Sequence, residues 1–215
     1  LPSVVITSSA PLGPSAGVLA ALKAHDPATV ARYPASEVLK ERWAKALGVK
    51  PDELLITNGS GPALALAGEL VLGAGDTCVI AAPSFELYAW VAERREARVV
   101  AVACDAANQF AFPVEGFRQA IEDAGVPPKL VVIGLPDNPT GTAPPREFIT
   151  TMAKAHRRTL FLVDEAYAEF AGEVGLLAEA PALERVLVCR TMSKAYGLAG
   201  LRVGYATASP RIVEN

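Results

Sequence analysis

Lys194 lies in the run Arg190-Thr191-Met192-Ser193-Lys194-Ala195-Tyr196-Gly197, between hydroxyl side chains and small residues, with Arg202 following eight positions later. Desolvation disfavours an ammonium ion, and a lysine that gives up its proton readily can form a Schiff base with a carbonyl compound. Thr191, Ser193 and Arg202 add two hydroxyls and a guanidinium, donors suited to a phosphate. The plainer explanation is that Lys194 and Arg202 are ordinary exposed charges beside a loop. This stretch alone leaves both readings open.

Four other short runs carry groups of complementary chemistry. Leu160-Phe161-Leu162-Val163-Asp164 ends an apolar run on a carboxylate, with Tyr167 three residues on. A carboxylate there can pair with a protonated ring nitrogen, although aspartate after a strand is also a common helix N-cap. Leu135-Pro136-Asp137-Asn138-Pro139-Thr140-Gly141 reads as a turn, and the Asn138 amide can donate to the same ring oxygen as the Tyr167 hydroxyl. Thr57-Asn58-Gly59-Ser60-Gly61-Pro62 leads into a helical pattern. The amides of Ser60 and Gly61 at a helix N-terminus suit a phosphate, whereas Pro62 has no N–H to offer; a simple tight turn is the bland alternative. Phe85, in Pro83-Ser84-Phe85, can lie flat on a heteroaromatic ring or be an ordinary core residue.

The elements that must position these groups follow from hydrophobic patterning. Short apolar runs at Leu54–Thr57, Thr77–Ala81, Val99–Ala103, Leu130–Leu135, Leu160–Val163, Val186–Cys189 and Val203–Ala206 read as strands. Helical patterns fall near Glu37–Leu47, Ala63–Leu72, Glu86–Arg95, Pro113–Ala124 and Arg146–Arg157. Runs apolar at every position, such as Leu130-Val131-Val132-Ile133, suit strands covered by helices on both faces. The alternation predicts an α/β fold with a doubly wound, mostly parallel sheet. Residues 1–14 read as an irregular arm and residues 15–215 as one large domain, broken off in the first turn of a helix at Pro210–Asn215. In such sheets ligands bind beyond the C-terminal ends of the strands. Each of the runs singled out follows a different strand, so all of them are expected on one edge.

Composition excludes several other classes. The 215 residues are 51% hydrophobic, enough for a substantial core, and the net charge of −3 is spread along the chain. There is no basic block suited to nucleic acid and no apolar run near the ~20 residues of a membrane span. Cys78, Cys104 and Cys189 are far apart, with no CxxC pair, which favours buried thiols in a reducing compartment over disulfides or zinc. No signal-peptide pattern opens the chain, and because it begins at Leu1 its natural start is expected to lie upstream.

Taken in order, Arg32-Tyr33-Pro34, Asn138-Pro139-Thr140-Gly141, Asp164-Glu165-Ala166-Tyr167 and the block Arg190–Tyr205 resemble the fold-type I pyridoxal-phosphate enzymes, most closely the histidinol-phosphate aminotransferase subgroup. The resemblance runs from about Ala10 to the end of the chain. It implies pyridoxal 5'-phosphate as cofactor, held covalently by Lys194, with Asp164 on the ring nitrogen, Asn138 and Tyr167 on the ring oxygen, and Phe85 against the ring face. It assigns the phosphate to Ser60, Gly61, Thr191, Ser193 and Arg202, and gives Tyr33 to the neighbouring subunit of a homodimer. It further implies a cytoplasmic transaminase of amino-acid biosynthesis, in particular histidine biosynthesis, which moves an amino group from a small amino donor to a 2-oxo acid. Lys194, Asp164 and Tyr167 would be its catalytic residues.

The pattern also departs from the family. Ser8-Ser9-Ala10-Pro11 stands where the arm usually reads Asn-Glu-Asn-Pro, and Gly61-Pro62 where the phosphate turn usually continues Asp-Glu. The small C-terminal domain that carries the carboxylate-binding arginine in the family is not among these residues. Two alternatives share the same site: a decarboxylase of phosphorylated amino acids, and a non-catalytic sensor domain that binds the cofactor.

Overall fold

A computed structural model of the protein describes residues 10, 12–34, 36–123, 125–172 and 175–214. The expected arm at 1–14 falls mostly outside these residues, as do Ser8, Ser9 and Pro11 of the altered motif. Among the described residues the strands are β1 (Leu54–Thr57), β2 (Thr77–Ala82), β3 (Arg98–Ala103), β4 (Leu130–Gly134), β5 (Leu160–Asp164), β6 (Val186–Thr191) and β7 (Gly204–Ala208). They form one sheet in the order β1-β7-β6-β5-β4-β2-β3. Strands β2 to β6 run parallel, whereas β7 is antiparallel to both β6 and β1. This is the doubly wound, mostly parallel α/β sheet that the patterning predicts.

The helices are α1 (Ala16–Lys23), α2 (Ser36–Leu47), α3 (Ser60–Val71), α4 (Glu86–Glu93), α5 (Val114–Glu122), α6 (Arg146–Ala155) and α7 (Pro210–Val213). Successive side chains of a strand point to opposite faces, and in the central strands both sets are apolar. Val131, Ile133, Phe161, Val163, Val186 and Val188 pack with Phe117, Ile121, Phe148, Ile149 and Met152 of α5 and α6. Leu130, Val132, Leu160, Leu162, Leu187 and Cys189 pack with Ala63, Leu64, Ala67, Val91 and Ala92 of α3 and α4. The three cysteines are buried and free. Among the described residues no helix is long and apolar enough to cross a membrane.

Two boundaries differ from expectation in ways that bear on the site. Helix α3 begins at Ser60 rather than Ala63, because Pro62 falls in the first turn, where a missing N–H breaks no intrahelical bond. Strand β6 continues to Thr191, so Arg190 is a strand residue rather than part of the following loop. Helix α1 does not appear among the expected elements. None of its residues is buried in this chain, so it lacks the core-facing stripe by which a helix is recognised in sequence.

Candidate active site

The C-terminal ends of β2, β4, β5 and β6 open onto one cleft of about 430 Å³. Ser60 and Gly61 reach it from the first turn of α3, Phe85 from the N-terminus of α4, and Asn138 from the turn after β4. Asp164 ends β5, Tyr167 follows it, and Thr191, Ser193, Lys194 and Arg202 come from the end of β6 and the loop before β7. Of the residues singled out in the sequence, only Tyr33 is absent from this lining. It follows the short helical turn Pro27–Ala31 and is fully exposed.

The floor of the cleft is acidic. Asp164 is 4% exposed and stands between β4 and β6, in register with Gly134 and Cys189. Its Oδ1 accepts from the Ala166 N–H at 3.1 Å and lies 3.7 Å from Cys189 Sγ, while its Oδ2 accepts from the Tyr88 hydroxyl at 3.1 Å. No helix begins at Asp164, since the next helical turn, Ala168–Phe170, has Tyr167 as its N-cap; the Ala166 contact is a local turn bond rather than a helix cap. Burial raises the Asp164 carboxyl above its ordinary value, against the opposing donors and the nearby Lys194 ammonium. A carboxylate so placed gains from a cationic partner.

The cleft also offers donors. The α3 N-terminus presents the amides of Ser60 and Gly61, and its N-cap, Gly59, has φ 90°, a conformation that glycine adopts without strain. Arg202 has a left-handed backbone, φ 53°, which turns its side chain back over this turn. Its Nη1 donates to Ala199 O at 3.0 Å and its Nη2 to Asn58 O at 3.4 Å. A Cβ on Gly204 would lie 2.7 Å from Gly59 Cα, so β7 and the turn touch backbone to backbone. Thr191 Oγ1 lies 2.9 Å from Ser193 Oγ and accepts from the Ser193 N–H at 3.2 Å, which fixes the start of the lysine loop. Lys194 lines the same cleft, its Nζ 5.3 Å from the centre of the Tyr167 ring.

Behind the lining lies a layer that the sequence reading passed over. Asp137 is buried, and its Oδ1 and Oδ2 lie 2.9 and 2.7 Å from Ser84 Oγ, which donates to the carboxylate. Asp137 Oδ1 also accepts from the Asn138 N–H at 2.8 Å. This carboxylate ties the loop that carries Phe85 to the turn that carries Asn138. Desolvation pushes its carboxyl up to about 6. Glu165 is fully buried and accepts from Arg190 Nε at 2.8 Å and Nη2 at 2.7 Å, and from the Leu176 N–H. Tyr88, also missed, belongs to the cleft lining itself; it had one sequence signal, since a spacing of three from Phe85 puts both rings on one face of a helix.

Known proteins resemble this chain in sequence and in fold. The family model "Aminotransferase class I and II" matches residues 7–215. The histidinol-phosphate aminotransferase of Roseiflexus castenholzii is 39% identical over 211 residues, which is 94% of this chain and 54% of that protein. That of Caldanaerobacter subterraneus subsp. tengcongensis is 37% identical over 182 residues, 84% of this chain and 50% of the relative. Among solved structures, the histidinol-phosphate aminotransferase of Sinorhizobium meliloti in complex with pyridoxal-5'-phosphate matches with a TM-score of 0.86 at 29% identity, covering 97% of this chain and 56% of that one. The chain thus spans about half the length of these relatives.

Proposed function

Since the chain belongs to the class I and II aminotransferases, we propose that it is the cofactor-binding part of a pyridoxal-5'-phosphate-dependent transaminase. Its amino donor is an amino acid or a phosphorylated amino alcohol of the histidinol-phosphate kind, and its acceptor is a 2-oxo acid. One observation carries the reading: a single cleft is lined by a buried carboxylate, a lysine, and a helix N-terminus with hydroxyls and a guanidinium. That set fits a molecule with a protonated ring nitrogen, a phosphate and a carbonyl carbon.

When bound, the cofactor supplies that carbon and a pyridinium ring able to accept electron density from the substrate's Cα. Lys194 would anchor it covalently and would be the group that moves a proton to and from the substrate's Cα. Asp164 holds the proton on the ring nitrogen. Asn138 and Tyr167 donate to the ring oxygen, and Phe85 covers one ring face. Ser60, Gly61, Thr191, Ser193 and Arg202 hold the phosphate, joined by Tyr33 of a neighbouring subunit. The full exposure of Tyr33 supports that last role, and the buried free thiols support a reducing, cytoplasmic setting.

The test begins with reduction of the cofactor-loaded protein by borohydride and peptide mass spectrometry, with label expected on Lys194. Label on another lysine, or on none, would sink the site assignment. A donor panel then reads the reaction. Conversion of the cofactor to its amine form, reversed by a 2-oxo acid, supports transamination, and stoichiometric release of carbon dioxide replaces it with decarboxylation.

A further inference from the structure

We propose that Tyr88 is a positioning residue for Asp164, its hydroxyl holding Oδ2 so that the carboxylate meets a ring nitrogen in a fixed orientation. The proposal rests on the reading that Asp164 pairs with that nitrogen. Tyr88 is 3% exposed and sits in the first turn of α4, 76 residues from Asp164 in sequence. A buried phenol needs a partner for its O–H, and packing alone would be served as well by phenylalanine. The partner here is a carboxylate on the cleft floor, 3.1 Å away.

The other carboxylate oxygen is held from the sheet itself, by the Ala166 N–H and the Cys189 thiol. Tyr88 therefore acts from the α4 side, and with these donors it fixes the carboxylate on both oxygens. The same helical turn has a second duty. Phe85, the N-cap residue of α4, meets Tyr88 edge to face, with ring centroids 5.7 Å apart and planes at 86°. One turn of helix thus sets both the ring that covers a bound heterocycle and the donor that aims the carboxylate beneath its nitrogen.

A cycle of ligand and side-chain changes tests this. Dissociation constants are measured by fluorescence quenching for pyridoxal 5'-phosphate and for its 1-deaza analogue, in which carbon replaces the ring nitrogen. In the unaltered protein the natural cofactor is expected to bind more tightly. In Tyr88→Phe that preference should shrink by about tenfold, as for a lost hydrogen bond to a charged group, while affinity for the analogue changes little. 3-Fluorotyrosine at position 88, a stronger donor of nearly the same shape, should keep the full preference. A Tyr88→Phe protein that keeps the whole preference, or a fluorotyrosine protein that loses it, would overturn the role of Tyr88. No preference in the unaltered protein would instead overturn the pairing of Asp164, a separate failure.

Discussion

Lys194 in the cleft and Asp137 behind its lining carry opposite kinds of cost. Lys194 is half-buried beside the Tyr167 ring, and its proposed work is covalent anchoring and proton transfer. Lys194→Ala should still bind the cofactor through its phosphate and ring contacts. It should lose the borohydride label and slow transamination by roughly 10²–10⁴-fold, read in single-turnover kinetics. Asp137 reveals its cost through pH. Its carboxyl moves from 3.8 to about 6 because burial disfavours the charge. The folded state therefore binds this proton more tightly than the unfolded chain does. With respect to this group, stability is greatest below the unfolded value of 3.8 and declines as pH rises through about 6. Asp137→Asn escapes that penalty and can still exchange a hydrogen bond with Ser84. Urea unfolding should find it more stable than the parent at pH 8, by up to roughly 3 kcal/mol, with the advantage vanishing towards pH 4. A constant difference at both pH values would show that the charge of Asp137 is not the cause.

At the scale of elements, the site depends on how closely β7 and the α3 turn approach. Gly204 pairs with Thr57 of β1, and its missing side chain leaves room for the Gly59 backbone. Gly204→Ala should push that turn outward and cost about 1–3 kcal/mol by overpacking. Because the turn carries Ser60 and Gly61, the same variant should bind pyridoxal phosphate more weakly, and the phosphate-free aldehyde about as well as before. Equal losses for both ligands would point to general damage to the cleft. A second element-scale device is the pair Glu165–Arg190, which joins the ends of β5 and β6 beneath the lysine loop. Burial raises the Glu165 carboxyl even though the Leu176 N–H and Arg190 oppose it. Glu165→Ala leaves Arg190 without its main partner and should cost about 3–5 kcal/mol, measured by denaturant unfolding.

For the molecule as a whole, the surface near the start of the described chain looks away from its own core. Helix α1 buries nothing, Leu19 and Leu22 are exposed, and Tyr33 is fully exposed. A homodimer in which each site borrows the partner's Tyr33 accounts for these features together. Mixing inactive Lys194→Ala subunits with Tyr33→Ala subunits should then restore activity, since the hybrid contains one site with its own Lys194 and the partner's Tyr33. If the mixture stays as inactive as its parents while hybrids form by mass, the sharing of sites is wrong.

Much of this was legible in the residues. The central strands are apolar at every position, as at Leu130–Ile133, because they are buried on both faces, so the sheet could be read from the hydrophobic patterning alone. Lys194, Asp164 and Asn138 could be picked out because each lies at or just after the end of a strand, with Arg202 in the same loop as Lys194, and a parallel sheet delivers the ends of its strands to one edge. Tertiary structure alone decided the layer behind them. That Tyr88 reaches Asp164, that Ser84 reaches Asp137, and that Gly204 touches Gly59 are contacts between distant segments. Local patterning records which face of an element is apolar, but not which polar group it meets across the core. The sequence by itself determined the chemistry available on the sheet edge, whereas the packing of α4 and β7 against that edge decided how the chemistry is aimed.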